Sequence, residues 1–219
     1  MPLYPLGISR SRDVPCVPKQ AAGSVDMRWS LAGELACALI DAPHGAIQPM
    51  LHAAALEAIH RRICVLPVQF GMALRDEAEI HSVLEKRSRE LLENLDRLDR
   101  TCEMALRIAR TNPPKTRTAA AAKPQSPLDY IEERRSHYRR LDGGEERERS
   151  IVRQFVERLH GCYRQWRKLQ SSPSHPIRMA FLVEQDRATA FRSRLEKTCE
   201  TYREGRCVIL GPWPPYSFV

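Results

Sequence analysis

Apolar residues recur along this chain with two rhythms, and the points where one gives way to the other mark its elements. Leu3 to Ile8, Val25 to Leu31 and Glu34 to Ile40 read as short strands, with Ala32-Gly33 turning the last two into a hairpin. Pro15 to Gly23 reads as a loop. From Ala46 the spacing becomes helical, with Ile47, Met50, Leu51, Ala54, Ala58 and Ile59 on one repeating pattern up to Arg62. Ile63 to Val68 then runs as a buried strand, and its Pro67, which has no N–H to donate, belongs at a sheet edge or a bulge. Strands flanking a helix in this order predict a ferredoxin-like α+β domain over residues 1–75.

Asp76 to Leu98 carries Ile80, Val83, Leu84, Leu91, Leu95 and Leu98 as one apolar stripe with Glu and Arg opposite, which predicts a connecting helix within residues 76–101. A strand over 102–109 opens the second unit, residues 102–219. Thr111 to Pro127 is Pro, Ala, Lys, Thr and Ser without core-forming residues, a linker by composition. Leu128 to Leu141 and Glu145 to Gln170 predict a protruding long-helix hairpin over 128–170. Val152, Phe155, Val156, Leu159, Cys162, Tyr163, Trp166 and Leu169 form its coiled-coil seam. The last stretch reads strand (Ile177 to Glu184), helix (Asp186 to Arg203) and strand (Arg206 to Leu210), with Gly205 as the helix stop. The expected class is therefore α+β, with two ferredoxin-like units and a helical hairpin in the C-terminal half.

Composition narrows the function. Hydrophobic residues make up 42% and charged residues 28%, and no segment approaches the roughly 20 apolar residues of a membrane span. Met1-Pro2-Leu3-Tyr4-Pro5 has neither a basic start nor a long apolar run, so a cytoplasmic location is expected. The seven cysteines (16, 37, 64, 102, 162, 199, 207) are scattered without C-x-x-C and are expected to be thiols. Cys37, Cys64, Cys102 and Cys207 sit in apolar runs. The histidines show no H-E-x-x-H, and His52 and His60, eight apart, cannot share one ion, so no metal is expected. Phosphate-cradling glycine loops and G-x-S-x-G are absent, so neither a cofactor nor catalysis is expected. The net charge is +8. Residues 115–170 hold 14 Lys or Arg against 8 Asp or Glu, interleaved as on a solvated helix face.

The chain closes on Gly211-Pro212-Trp213-Pro214-Pro215-Tyr216-Ser217-Phe218-Val219. Gly211, Trp213 and Pro214 each precede a proline, so the segment is extended and little ordering entropy remains to be lost. This ending resembles that of the gas vesicle GvpF/GvpL family. Val65-Leu66-Pro67-Val68-Gln69-Phe70-Gly71 is similar to the family's central strand, Met179 to Val183 to its late strand, and Glu103 to Ile108 to the strand after its first long helix. Gln69 and Met72 depart from the pattern, and residues 40–51 are shortened.

The resemblance implies a non-enzymatic accessory protein of gas vesicle assembly, cytoplasmic and at the vesicle. Its partners would be the main shell protein and other gas vesicle accessory proteins. The family-motif residues Leu66, Pro67, Phe70 and Gly71, together with Gly211, Pro212, Trp213, Pro214, Pro215, Tyr216, Ser217 and Phe218, are the candidate contacts. The tail is expected to fold across the domain that strand 206–210 completes, burying Trp213 and Tyr216. Two other readings exist: the basic helices 128–170 as a nucleic-acid-binding module, and Ser217-x-Val219 as a PDZ ligand. The resemblance, covering most of residues 50–219, favours the gas vesicle reading.

Overall fold

A computed structural model describes residues 3–17, 27–41, 48–110, 145–170 and 176–219. Its strands form two four-stranded sheets, ordered β2-β3-β1-β4 and β6-β7-β5-β8, and the chain divides into two compact units. Unit 1 comprises residues 1–103, 184–186 and 212–219; unit 2 comprises 104–183 and 187–211.

In unit 1, β1 (Leu3–Arg10) lies between β3 (Leu35–Asp41) and the short β4 (Leu66–Pro67), and β2 (Met27–Ala32) forms the other edge; every pairing is antiparallel. Pro67 occupies the edge strand that its missing N–H requires. The ladder reaches one residue further than β4 itself, because Val68 N–H donates to the Leu6 carbonyl at 2.9 Å. A helix, α1 (Pro49–His60), lays Ala55, Leu56 and Ile59 on the sheet face formed by Tyr4, Leu6, Met27, Ala38 and Ile40. Leu56 and Ile59 are fully buried, each contributing about 1.5–3 kcal/mol by leaving water. Alternation sends Leu35, Cys37 and Leu39, also buried, to the opposite face.

The single helix expected over Asp76 to Leu98 is two helices. One, α2 (Glu77–Lys86), packs against β2, and the other, α3 (Ser88–Leu98), against β1 and β4. The break falls at Arg87, at φ −109 and ψ 13, whose guanidinium holds Glu90 through two bonds of 2.9 and 2.6 Å. The apolar stripe runs through the break, so periodicity alone could not reveal it. These helices belong to unit 1 rather than serving as a connector outside the domains.

Unit 2 departs more. The described part of the fourth helix, α4, covers residues 145–158, and 165–169 is a strand, β6 (Gln165–Leu169), in which Trp166 faces Phe181 of β7 (Ile177–Glu184). The coiled-coil seam is therefore corrected. Val152 and Phe155 are buried on α4 and Leu159 is buried in the turn that follows it, but Cys162 and Trp166 lie further along the chain. Gly161 at φ +78 takes the left-handed conformation that stops a helix, and the apolar spacing continued across it only by coincidence. Residues 128–144 of the expected hairpin lie outside the described residues.

Phe181 packs on Phe191 of α5 (Ala188–Thr201) and on Tyr163, with centroids 5.3 and 5.4 Å apart. The central strand β5 (Thr101–Arg110) lies between β7 and the edge strand β8 (Gly205–Trp213). At the start of β8, a Cβ on Gly205 would come 2.5 Å from the Ala109 carbonyl oxygen, so only glycine permits this approach to β5.

Candidate functional site

The two motifs that the sequence singles out take different structural roles. Leu66 is buried and paired with Ile8, and Pro67 is paired with Gly7, so both are scaffold. The chain then leaves the sheet through a turn, Met72 N–H reaching the Gln69 carbonyl at 3.4 Å, with Gly71 at φ +90. That turn projects Phe70, 43% exposed, and Met72, 50% exposed. Phe70 is supported from below by the buried His52 of α1, edge to face at 5.5 Å and 80°. Burial lowers the His52 pKa, and the resulting neutral ring suits an aromatic contact.

The exposed side of α1 adds to this surface. Its sequence from Pro49 to His60 contains a single charged side chain, Glu57, and Met50 (82% exposed) and Ala54 look outward rather than into the core. A helix with apolar residues on all sides is ordinarily covered on all sides.

The tail is anchored. β8 carries the extended backbone as far as Trp213, with Gly211 at φ +97 and its carbonyl accepting from the Arg192 guanidinium. Pro214, Pro215 and Phe218 are buried, and a short 3-10 turn, Tyr216–Phe218, ends the chain. Glu103 of β5, itself buried, accepts from the Ser217 N–H at 2.7 Å and from the Ser217 hydroxyl at 2.9 Å. The Arg97 guanidinium of α3 donates to the Phe218 carbonyl.

Two expectations are corrected here. The segment from Pro212 belongs to unit 1, not to the unit containing most of β8, because Glu103 and Arg97 supply its partners. Tyr216 is 41% exposed and Trp213 half-buried, since Phe218 takes the deep position instead. Burial, followed by the carboxylates of Glu57 and Glu103, pushes the Tyr216 hydroxyl up to about 12.

Both motifs thus approach α1, Phe70 at His52 and Tyr216 near Glu57. His52, Glu57, Arg97 and Glu103 were not legible as site residues, although one of them left a trace. A glutamate in the apolar run Thr101-Cys102-Glu103-Met104-Ala105-Leu106 is a charge that needs a buried partner. Among the described residues no three His, Cys, Asp or Glu side chains cluster to hold a metal, and no helix is long and apolar enough to cross a membrane.

Comparison with known proteins matches residues 34–219 to the family model described as gas vesicle synthesis protein GvpL/GvpF. The chain is 28% identical over 239 residues to gas vesicle protein F of Streptomyces sp. (strain CB03234), covering 100% of both. It is 26% identical over 179 residues to gas vesicle protein L of that strain, covering 76% of this chain and 66% of that one. Crystal structures of GvpF from Anabaena sp. PCC7120 (TM-score 0.75, 15% identity, 99% and 95% covered) and from Microcystis aeruginosa (0.76, 16%, 99% and 98%) share the fold.

Proposed function

The chain belongs to the GvpL/GvpF family of gas vesicle synthesis proteins, and from that premise we propose that it is a non-enzymatic accessory protein that binds the main shell protein while vesicles form. It acts in the cytoplasm and at the vesicle. A subunit apolar enough to line a gas space aggregates in water unless its surface is shielded before assembly. The observation that carries the reading is the exposed apolar group on unit 1, in which Phe70 and Met72 project from the turn and Met50 and Ala54 from α1. An apolar ridge supported by a rigid helix suits docking of an amphipathic or extended segment. We also read the strand order β2-β3-β1-β4 as ferredoxin-like, with the 3-10 turn Ser11–Cys16 where the first helix would stand. That arrangement leaves the Phe70 turn at a sheet edge.

A pull-down of the shell protein, at low and at high salt, tests the proposal. Binding by the unaltered chain should survive high salt, because apolar contact is not screened, whereas phosphate-type binding is lost steeply. Phe70→Ser with Met72→Ser should reduce capture about tenfold or more while the melting transition stays in place. Undiminished capture by that double variant contradicts the assignment of the surface.

A further inference from the structure

The described methionines fall into two groups. Met27, 6% exposed, and Met104 and Met179, fully buried, pack in the interior, whereas Met50 and Met72 are 82% and 50% exposed. Both exposed ones belong to the apolar surface of unit 1. Met50 stands two residues before His52 on α1 and Met72 two residues after Phe70 in the turn, so in sequence they bracket the contact in which the Phe70 and His52 rings meet at 5.5 Å. The turn is held to β1 at both feet: Val68 N–H donates to the Leu6 carbonyl and Leu74 N–H to the Leu3 carbonyl, each at 2.9 Å. A methionine thioether offers apolar surface much as a leucine does, but it also presents sulfur lone pairs that an oxidant reaches wherever the side chain is exposed.

We propose that Met50 and Met72 are oxidation sites through which a peroxide switches this docking surface off and a methionine sulfoxide reductase switches it back on. The inference rests on the reading of that surface as the shell-protein contact. At each site a sulfur lone pair attacks one peroxide oxygen, and the S–O bond forms as the O–O bond breaks. The departing hydroxide takes up the proton of the transferred oxygen and becomes water, so the thioether is oxidised to a sulfoxide and the peroxide is reduced. The reductase reverses the change, its dithiol being oxidised to a disulfide as the sulfoxide oxygen leaves as water.

A sulfoxide oxygen is a hydrogen-bond acceptor that must give up water when an apolar partner covers it, and an apolar segment supplies no donor in return. One sulfoxide on each of the two elements that form the surface therefore turns it from apolar to polar without adding charge. The fold is left intact, because neither side chain packs in the core and the feet of the turn are backbone hydrogen bonds. Met27, Met104 and Met179 supply internal controls, shielded for as long as the chain stays folded.

The full chain is treated with hydrogen peroxide and then with dithiothreitol, which reduces disulfides and sulfenic acids but leaves methionine sulfoxides, and is read by peptide mass spectrometry and by capture of the shell protein. Met50 and Met72 should gain oxygen before Met27, Met104 and Met179, the melting transition should stay in place, and capture should fall about tenfold. Methionine sulfoxide reductases should restore it. A chain with Met50→Leu and Met72→Leu, compared with itself before and after peroxide, should lose no capture. Undiminished capture with both sulfoxides in place overturns the proposal, as does an equal fall in the leucine variant or a fall that accompanies loss of the melting transition. Oxidation of the buried methionines at the same rate overturns it too. If the untreated chain captures no shell protein, the docking reading fails and takes the switch with it, whereas the order of oxidation still decides whether these are the reactive sites.

Discussion

Glu103 shows how a single side chain can fix a segment more than a hundred positions away. A carboxylate this buried must have its lone pairs occupied, and the Ser217 N–H and hydroxyl do part of that work. Ser217→Ala removes one donor and should cost about 1–3 kcal/mol in denaturant unfolding, most of it from the carboxylate left short of a partner. An unchanged midpoint means that water replaces the hydroxyl without loss. His60 gives a pH prediction. It is buried on α1 with its Nε2 3.2 Å from the Gln185 amide, and burial lowers its pKa from 6.5 to about 4. The unfolded chain takes up the proton first as pH falls. The stability is thus intact above about 6.5 and is lost progressively toward pH 4, up to about 3 kcal/mol in all. His60→Asn should flatten that part of the pH–stability curve, and an identical curve for the variant refutes the assignment to His60.

Among the elements, the shortest-range signals were the most legible. The Ala32-Gly33 hairpin, the edge position of Pro67 and the strand Ile177–Glu184 could be read from turn chemistry and alternation, because those constraints act within a few residues. Periodicity failed where it had to decide whether a helix continues. It joined α2 to α3 through Arg87, and it carried α4 past Gly161 into β6, since Tyr163 and Trp166 kept helical spacing while their partner Phe181 pairs with Trp166 across a ladder. The buried half of that seam still supports a stability prediction. Leu159 is fully buried, and Leu159→Ala should cost about 2–5 kcal/mol; a melting transition within error of the unaltered chain contradicts its place in the core. At the start of α2 the Asp76 carboxylate accepts from the Glu79 N–H at 2.9 Å, so Asp76→Ala should cost about 1 kcal/mol. Asp76→Asn or Asp76→Ser should restore most of it, which distinguishes a cap from a charge effect.

At the scale of the whole molecule, family membership came through the tail and the Leu66–Gly71 motif, yet the roles of those residues did not. A proline-rich aromatic ending reads equally as a docking peptide or as an internal strap, because the sequence does not say which buried group awaits it. Glu103 and Arg97 resolve that ambiguity in favour of the strap, and Phe70 is left as the outward-facing part of the motif, with the exposed Met72 just beyond it. Removing residues 212–219 should therefore destabilise unit 1 by exposing Glu103 and the site of Phe218, with any loss of binding following the loss of fold. The measurement that tests the central claim most directly is amide hydrogen exchange of the full chain with and without the shell protein. The account predicts slowed exchange at residues 69–72 and in the first turns of α1, with 214–218 already protected in the unbound chain. New protection confined to 212–219, with the Phe70 turn unchanged, would show that the tail is the docking element and contradict the account.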